Sequence, residues 1–229
     1  MINQKTAVLI FANSSETEGI NKRFSFGYDL FDTLNDHTIK TVEKTGLPYF
    51  RFSEKDQIGN CFGDRFTNAI QSLMDMGFEN VITVGNDTPS LSKKHILEAV
   101  AGLENSEIVL GPSRDGGFYL MGLNSSQFNS EVFKNFPWQT LNLNNSIENY
   151  FSNKQNVEIK KLETLVDIDC LGDLKSLQEK INQFSASLKK ALIQLLFSTS
   201  HNFLVYIFHF FQVERTPIFN KGSPCYSSH

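Results

Sequence analysis

Between Val81 and Gly122 two short apolar runs each end in a turn sequence that holds a carboxylate, and this pairing constrains the fold more than any other stretch of the chain. Val81-Ile82-Thr83-Val84 is rich in β-branched residues and breaks at Gly85-Asn86-Asp87-Thr88-Pro89, before a helix-like segment beginning near Ser92. Such a run, stopped by Gly, Asn, Asp and Pro, reads as strand, loop, helix. Ile108-Val109-Leu110 breaks in its turn at Gly111-Pro112-Ser113-Arg114-Asp115-Gly116-Gly117, after which Phe118-Tyr119-Leu120-Met121 resumes an extended pattern. Open α/β sheets bind ligands in the crevice beyond the carboxyl ends of their strands. Asp87 and Asp115 are therefore expected at one mouth.

The rest of the chain continues the alternation. Thr6 to Phe11, apolar after Lys5, reads as a first core strand rather than a signal peptide, because Asn13-Ser14-Ser15-Glu16 supplies no cleavage site. A polar loop is expected from Ala12 to Asn21, carrying Glu16 and Glu18. Lys22 and Arg23 follow, and either hold phosphate oxygens or sit on a solvated loop. Phe31 to Lys44 reads as a helix and Tyr49 to Phe52 as a strand. Gln57 to Phe66 leads into a helix through about Met76, with Phe66, Ile70, Leu73 and Met74 on one apolar face and Gly77 as its cap. Gln57 and Arg65 stand at its entrance as candidate ligand contacts, although a surface salt bridge is the commoner fate of an arginine on a helix. A short helix is expected within Asn124 to Asn135, a further helix at Asn142 to Ser152 and a strand at Val157 to Leu162. Trp138, between them, is better suited to anchoring a loop than to stacking on substrate. Asp167 and Asp169 differ by two, so on an extended segment they share a face. Either both approach one metal, or one binds while the other caps a helix starting near Gly172.

Size and charge bound the possibilities. The 229 residues suffice for one α/β domain with a full core. We expect a domain over residues 1–180 and a C-terminal aromatic tail over 181–229. The balance of 21 basic against 25 acidic residues gives no basic bias, which argues against a nucleic-acid partner. Cys61, Cys170 and Cys225 are odd in number and widely spaced, so neither a disulfide framework nor a zinc cluster is indicated, and a reducing cytoplasm is the default. In the tail, Ala191 to Phe197 and Phe203 to Phe211 are separated by Ser198-Thr199-Ser200-His201-Asn202. Neither apolar half reaches the roughly 20 residues of a membrane span. The second half is apolar all round and is expected to pack on the domain or, in a homodimer, on a second copy.

The ordered motifs resemble a family of bacterial glycosyltransferases related to the arsenosugar-biosynthesis glycosyltransferases, within the nucleotide-diphospho-sugar transferase superfamily. The resemblance is carried by Gln57-x-Gly59 with Gly63-Asp64-Arg65, Gly85-x-Asp87-x-Pro89-x-Leu91, Gly111-Pro112 with Asp115-Gly116-Gly117-Phe118-Tyr119-Leu120, Pro137-Trp138-x-Thr140, and Asp167-x-Asp169 with Asp173-Leu174. It spans about Thr6 to Leu177. The sequence departs at the first loop, where the family's Pro- and Gly-containing segment ending in Lys-Thr-Arg-Leu is replaced by Asn13 to Asn21 followed by Lys22-Arg23-Phe24.

The resemblance implies a three-layer α/β/α fold of the glycosyltransferase A type with a mostly parallel sheet. It implies metal-dependent transfer of a glycosyl group from a nucleotide sugar to a small acceptor. Asp87, Asp169 and, with less support, Asp167 would hold Mg²⁺ or Mn²⁺ against the diphosphate. Asp115 would orient a hydroxyl or act as base, and Lys22, Arg23, Gln57, Arg65, Asn86, Gly116 and Gly117 would contact nucleotide or substrate. Nucleotidyl transfer of the cofactor guanylyltransferase type is the alternative chemistry. A catalytically silent binding subunit with this fold is the alternative class.

Overall fold

The computed structural model describes residues 5–21, 28–105, 108–154, 157–169, 173 and 176–199. Lys22, Arg23, Gly172 and the tail from residue 200 onward lie outside the described residues, as do the expectations attached to them.

Strands β1 (Thr6–Phe11), β2 (Tyr49–Phe52), β3 (Asn80–Val84), β4 (Ile108–Pro112), β5 (Phe118–Asn124) and β6 (Ile159–Lys161) form one sheet in the order β2-β1-β3-β5-β4-β6. β5 alone runs antiparallel to its neighbours; the other pairings are parallel. The mostly parallel sheet is thus as expected. Helices α2 (Tyr28–Glu43), α3 (Phe62–Asp75), α4 (Lys93–Leu103), α5 (Ser130–Lys134) and α6 (Leu143–Ser152) cover its two faces.

The period of two in β1 shows why the layers number three. Val8 and Ile10 pack with Ile82 and Val84 of β3, Val42 of α2, and Ile96, Ala99 and Leu103 of α4. Ala7 and Leu9 point the other way, into Phe66, Ala69, Ile70 and Leu73 of α3, Phe133 of α5, and Ile147 and Phe151 of α6. A strand buried on both faces is mostly apolar, and all five residues of β3 are buried, its two polar members hydrogen-bonded: Asn80 donates to the Thr6 hydroxyl and the Thr83 hydroxyl to the Met121 carbonyl. The apolar spacing expected for α3 is the face it buries. Its end is a Schellman motif: Gly77, at φ 94°, donates its N–H to the Met74 carbonyl, and Phe78 donates to that of Leu73.

One element differs from expectation. Ser15–Asn21, expected as loop, is a helix, α1. Its start is fixed from far away: Glu54 accepts from both the N–H and the hydroxyl of Ser14, at 2.7 and 2.9 Å. Helix α7 (Ala186–Thr199) places Leu188, Ala191 and Leu192 against Leu30, Phe31 and Leu34 of α2, in a third cluster with Ile168. Among the described residues no helix is long and apolar enough to cross a membrane.

The β4–β5 hairpin is the feature that positions the site. Because β5 is antiparallel to β3, with Val84 opposite Leu120, its first residues lie beside the end of β3. The hairpin tip therefore meets the Gly85–Asp87 loop, and the Gly85 N–H donates to the Tyr119 carbonyl at 3.4 Å. The hairpin depends on Gly111, where an added Cβ would lie 2.5 Å from the Tyr119 ring. Tyr119 is 1% exposed and its hydroxyl donates to the Glu163 carbonyl at 3.0 Å, so the ring has little room to retreat. Gly111→Ala is expected to cost roughly 1–3 kcal/mol, read as a lower urea midpoint at an unchanged denaturant slope.

Candidate functional site

A cleft of about 790 Å³ opens where the carboxyl ends of β1, β3 and β4 meet the start of β5. This is the edge expected from the strand-loop pattern, and the volume lies in the range of small-molecule sites. The described lining residues include five carboxylates, Glu18, Asp87, Asp115, Asp167 and Asp169, against one cation, Arg65. Of the expected site residues Gln57, Asn86 and Gly117 also line it. Gly116 is absent from the wall. It sits at φ 91° with its Cβ direction 3.0 Å from the Leu141 carbonyl, so its requirement for glycine comes from the turn and the neighbouring loop.

Backbone pairing brings the acids together. The segment around Leu165 lies between the two strand-end loops: the Leu165 N–H donates to Pro112, the Arg114 N–H to Leu165, and the Ile168 N–H to the Asp87 carbonyl at 2.8 Å. Ile168 is fully buried, while Asp167 and Asp169 on either side of it both line the cleft. The alternation anticipated for this stretch is present. Asp167 is partly buried and accepts a hydrogen bond from the Thr88 hydroxyl. Burial, then the negative charge of Asp87, pushes its carboxyl up to about 7, against the opposing hydrogen bond from Thr88. Asp169 is exposed, and its N–H donates to the Asp173 carboxylate at 2.9 Å.

Asp115 is oriented by its own turn. Its Oδ1 accepts from the Ser113 hydroxyl and from the Gly117 N–H at 2.9 Å. A Cβ on Gly117 would come within 3.2 Å of the Ser113 hydroxyl and 3.3 Å of that Oδ1, so glycine leaves space for the carboxylate. Asn86, buried, donates to Asn35 at 2.9 Å, and Gln57 donates to the Phe52 carbonyl at 3.3 Å. Arg65 has no salt bridge with the described residues.

Behind the acids, His95 braces Glu163. The Ser92 N–H donates to His95 Nδ1 at 3.1 Å, so the proton sits on Nε2 and is donated to Glu163 at 2.8 Å. That hydrogen bond holds the Glu163 carboxyl below its ordinary range. The brace fixes the strand-like entry to the Asp167 segment against α4.

The opposite wall is aromatic. Phe11, Phe62, Phe66 and Trp138 line the cleft and contact one another, with ring centroids 5.0–5.7 Å apart. Trp138 donates its indole N–H to the Phe133 carbonyl at 2.6 Å and lies over Gly63, whose Cβ would stand 2.7 Å from the indole. It anchors the loop, as expected. The cleft also recruits residues that the sequence did not single out: Asn13, Glu18 and Gln139. Glu18 accepts from Asn13 at 2.8 Å. It lies on α1, whose sequence has no apolar periodicity to mark it as a helix.

Helices on both faces of a mixed sheet, with acids from two strand-end loops in a cleft at its carboxyl edge, make a three-layer α/β/α protein with a ligand site of the open-sheet kind. Residues 38–140 match the family described as "Uncharacterized protein conserved in bacteria (DUF2064)", a stretch that holds the Gly63-Asp64-Arg65, Gly85-x-Asp87 and Asp115-Gly116-Gly117 motifs. A solved structure described as a "putative nucleotide-diphospho-sugar transferase from Desulfovibrio desulfuricans G20" aligns with a TM-score of 0.71 at 19% identity, covering 83% of this chain and 94% of that one. At that identity the likeness is one of fold. Two more distant structures align with TM-scores of 0.44: a cytidylyltransferase from Leptospira borgpetersenii (15% identity, 86% and 95% covered) and a manganese complex of Rv0371C from Mycobacterium tuberculosis H37Rv (11%, 77% and 99%). Overlap this partial bears on neither fold nor chemistry here. No curated protein matches the sequence.

Proposed function

We propose that the chain transfers a glycosyl group from a nucleotide sugar to a small acceptor in this cleft, using Mg²⁺ or Mn²⁺. The observation that carries the reading is the acidity of the wall: among the described residues, five acidic side chains and one arginine face a space of small-molecule size. A diphosphate entering alone would be repelled. The donor set fits a hard divalent cation, which takes oxygen ligands and keeps several positions for phosphate and water. Among the described residues no three acidic, imidazole or thiol side chains form a complete cage. Asp87 and Asp167, whose charges repel each other across the cleft wall, would instead be the pair of acids that holds the cation, which would supply charge neutralisation for the diphosphate. Asp169 stands at the exposed edge of the same wall. When bound, the cation would neutralise the charge that develops on the leaving diphosphate.

The chain's own residues have separable tasks. Asp87 and Asp167 would hold the cation, and Arg65 would pair with phosphate oxygens without first breaking a protein salt bridge. Asp115, fixed through Oδ1, would take the acceptor hydroxyl proton on Oδ2 as general base. The first loop argues against the nucleotidyltransferase alternative. The Ser14 N–H and hydroxyl, which a triphosphate cradle would need, are occupied by Glu54, and this bonding holds the Glu54 carboxyl below its ordinary range.

Isothermal titration with a panel of nucleotide sugars and nucleoside triphosphates, with and without MnCl₂, tests the reading. One diphospho-sugar is expected to bind only with metal, and at 100 times its dissociation constant to add about 2.7 kcal/mol to stability. Preference for a triphosphate would transfer the assignment to nucleotidyl transfer. Binding of neither class by folded protein would leave the silent subunit as the reading.

A further inference from the structure

Gln139 is the one non-glycine residue with a positive φ among the described residues, at 59°. The left-handed region is disfavoured for a residue with a Cβ, and glycine or asparagine is its usual occupant. The turn that imposes it is secured on both sides. Trp138 donates its backbone N–H to Phe136 at 2.7 Å and its indole N–H to Phe133 at 2.6 Å, and the Thr140 hydroxyl donates to the Pro137 carbonyl at 2.7 Å. Beyond it, the Leu141 carbonyl rests against Gly116, next to Asp115. A local conformation held against its intrinsic preference, in the wall of a cleft, points to function rather than to stability.

The position suggests what that function is. Gln139 lines the cleft with an exposed side chain, between the aromatic wall and the turn that carries Asp115. An uncharged carboxamide offers two N–H donors and a carbonyl acceptor. That complement suits neighbouring hydroxyl groups rather than a diphosphate, which Arg65 and a cation serve better. We infer that Gln139 reads hydroxyls of the transferred sugar and so helps to decide which sugar is bound. The inference rests on the nucleotide-sugar reading of the cleft.

Titration with MnCl₂ of the nucleotide sugar that the wild type binds, and separately of its parent nucleoside diphosphate, tests it on the full chain. Gln139→Ala is expected to weaken the nucleotide sugar about three- to tenfold and to leave the nucleoside diphosphate within roughly twofold. Gln139→Gly is expected to lose the same affinity while melting at a higher temperature than Gln139→Ala, because glycine accepts the left-handed turn. Equal weakening of both ligands, or of neither, overturns the inference, and so does a glycine variant no more stable than the alanine one. If the wild type binds no nucleotide sugar, the donor reading itself falls and takes the inference with it. If the wild type binds and the Gln139 variants match it, only the inference falls.

Discussion

Asp87→Ala is expected to abolish the metal-dependent binding of a nucleotide sugar and to lower turnover by about a thousandfold, with little change in the fold. The size follows from the role: charge stabilisation by a bound cation is worth several kcal/mol in the transition state, and each 1.4 kcal/mol is a factor of ten. Sparing of the fold follows from the way Asp87 is built in. Its carbonyl oxygen accepts from Ile168 of the Asp167 segment, and alanine keeps that carbonyl. The preceding strand is held by its ladder with β1 and β5, and Asn86 by its hydrogen bond to Asn35. Titration of the variant with the donor and MnCl₂, next to a thermal melt, checks both halves. A variant that binds donor as the wild type does would remove Asp87 from the metal site. One that fails to fold would show that its carboxylate is structural.

Much of this architecture was legible in the sequence, and the reasons for success and failure are physical. β1 and β3 are buried on both faces, so their sequences are mostly apolar and β-branched rather than alternating, and the turns that stop them contain residues chosen for turning. The mouth holding Asp87 and Asp115 follows from strand direction alone. What sequence periodicity does not carry is long-range pairing. Helix α1 has one large apolar residue, Ile20, and that residue is 67% exposed, so no apolar stripe marks the helix. Its start depends on Glu54, 40 positions away.

The same limit applies to the acids. Spacing places Asp167 and Asp169 on one face, but spacing does not say which is buried. That difference comes from the bridge between Leu165 and Ser113 and from Thr88, 79 positions from Asp167. Gln139 was invisible for another reason. It falls between Trp138 and Thr140, outside the residues that carry the resemblance, and its importance lies in a backbone angle that its side chain does not favour.

Asp167→Asn is expected to stabilise the metal-free protein at pH 8 while removing its response to metal. In the folded chain burial and the charge of Asp87 raise the Asp167 carboxyl to about 7, whereas in the unfolded chain it returns to its ordinary value near 3.8. The folded state therefore holds this proton more tightly, so the contribution of Asp167 to stability is greatest in acid. It declines as pH rises from about 4 to about 7 and is constant above that. Other groups, Glu54 and Glu163 among them, shift the opposite way and weaken the fold in acid. The informative quantity is accordingly the difference between wild type and variant across the pH range. At pH 8 asparagine removes a buried charge facing Asp87 and still accepts from Thr88. A gain on the order of 2 kcal/mol, or roughly 4–8 °C in melting temperature, is expected. Towards pH 5 the gap should close as the wild-type carboxyl regains its proton. Added MnCl₂ should reverse the order at pH 8, because a cation replaces that proton in the wild type and has lost a carboxylate ligand in the variant. Thermal melts of both proteins from pH 5 to pH 9, with and without MnCl₂, read all three effects. A pH-independent gap would mean that Asp167 is ionised throughout. A variant that still gains from MnCl₂ as the wild type does would place the cation elsewhere along the acidic wall.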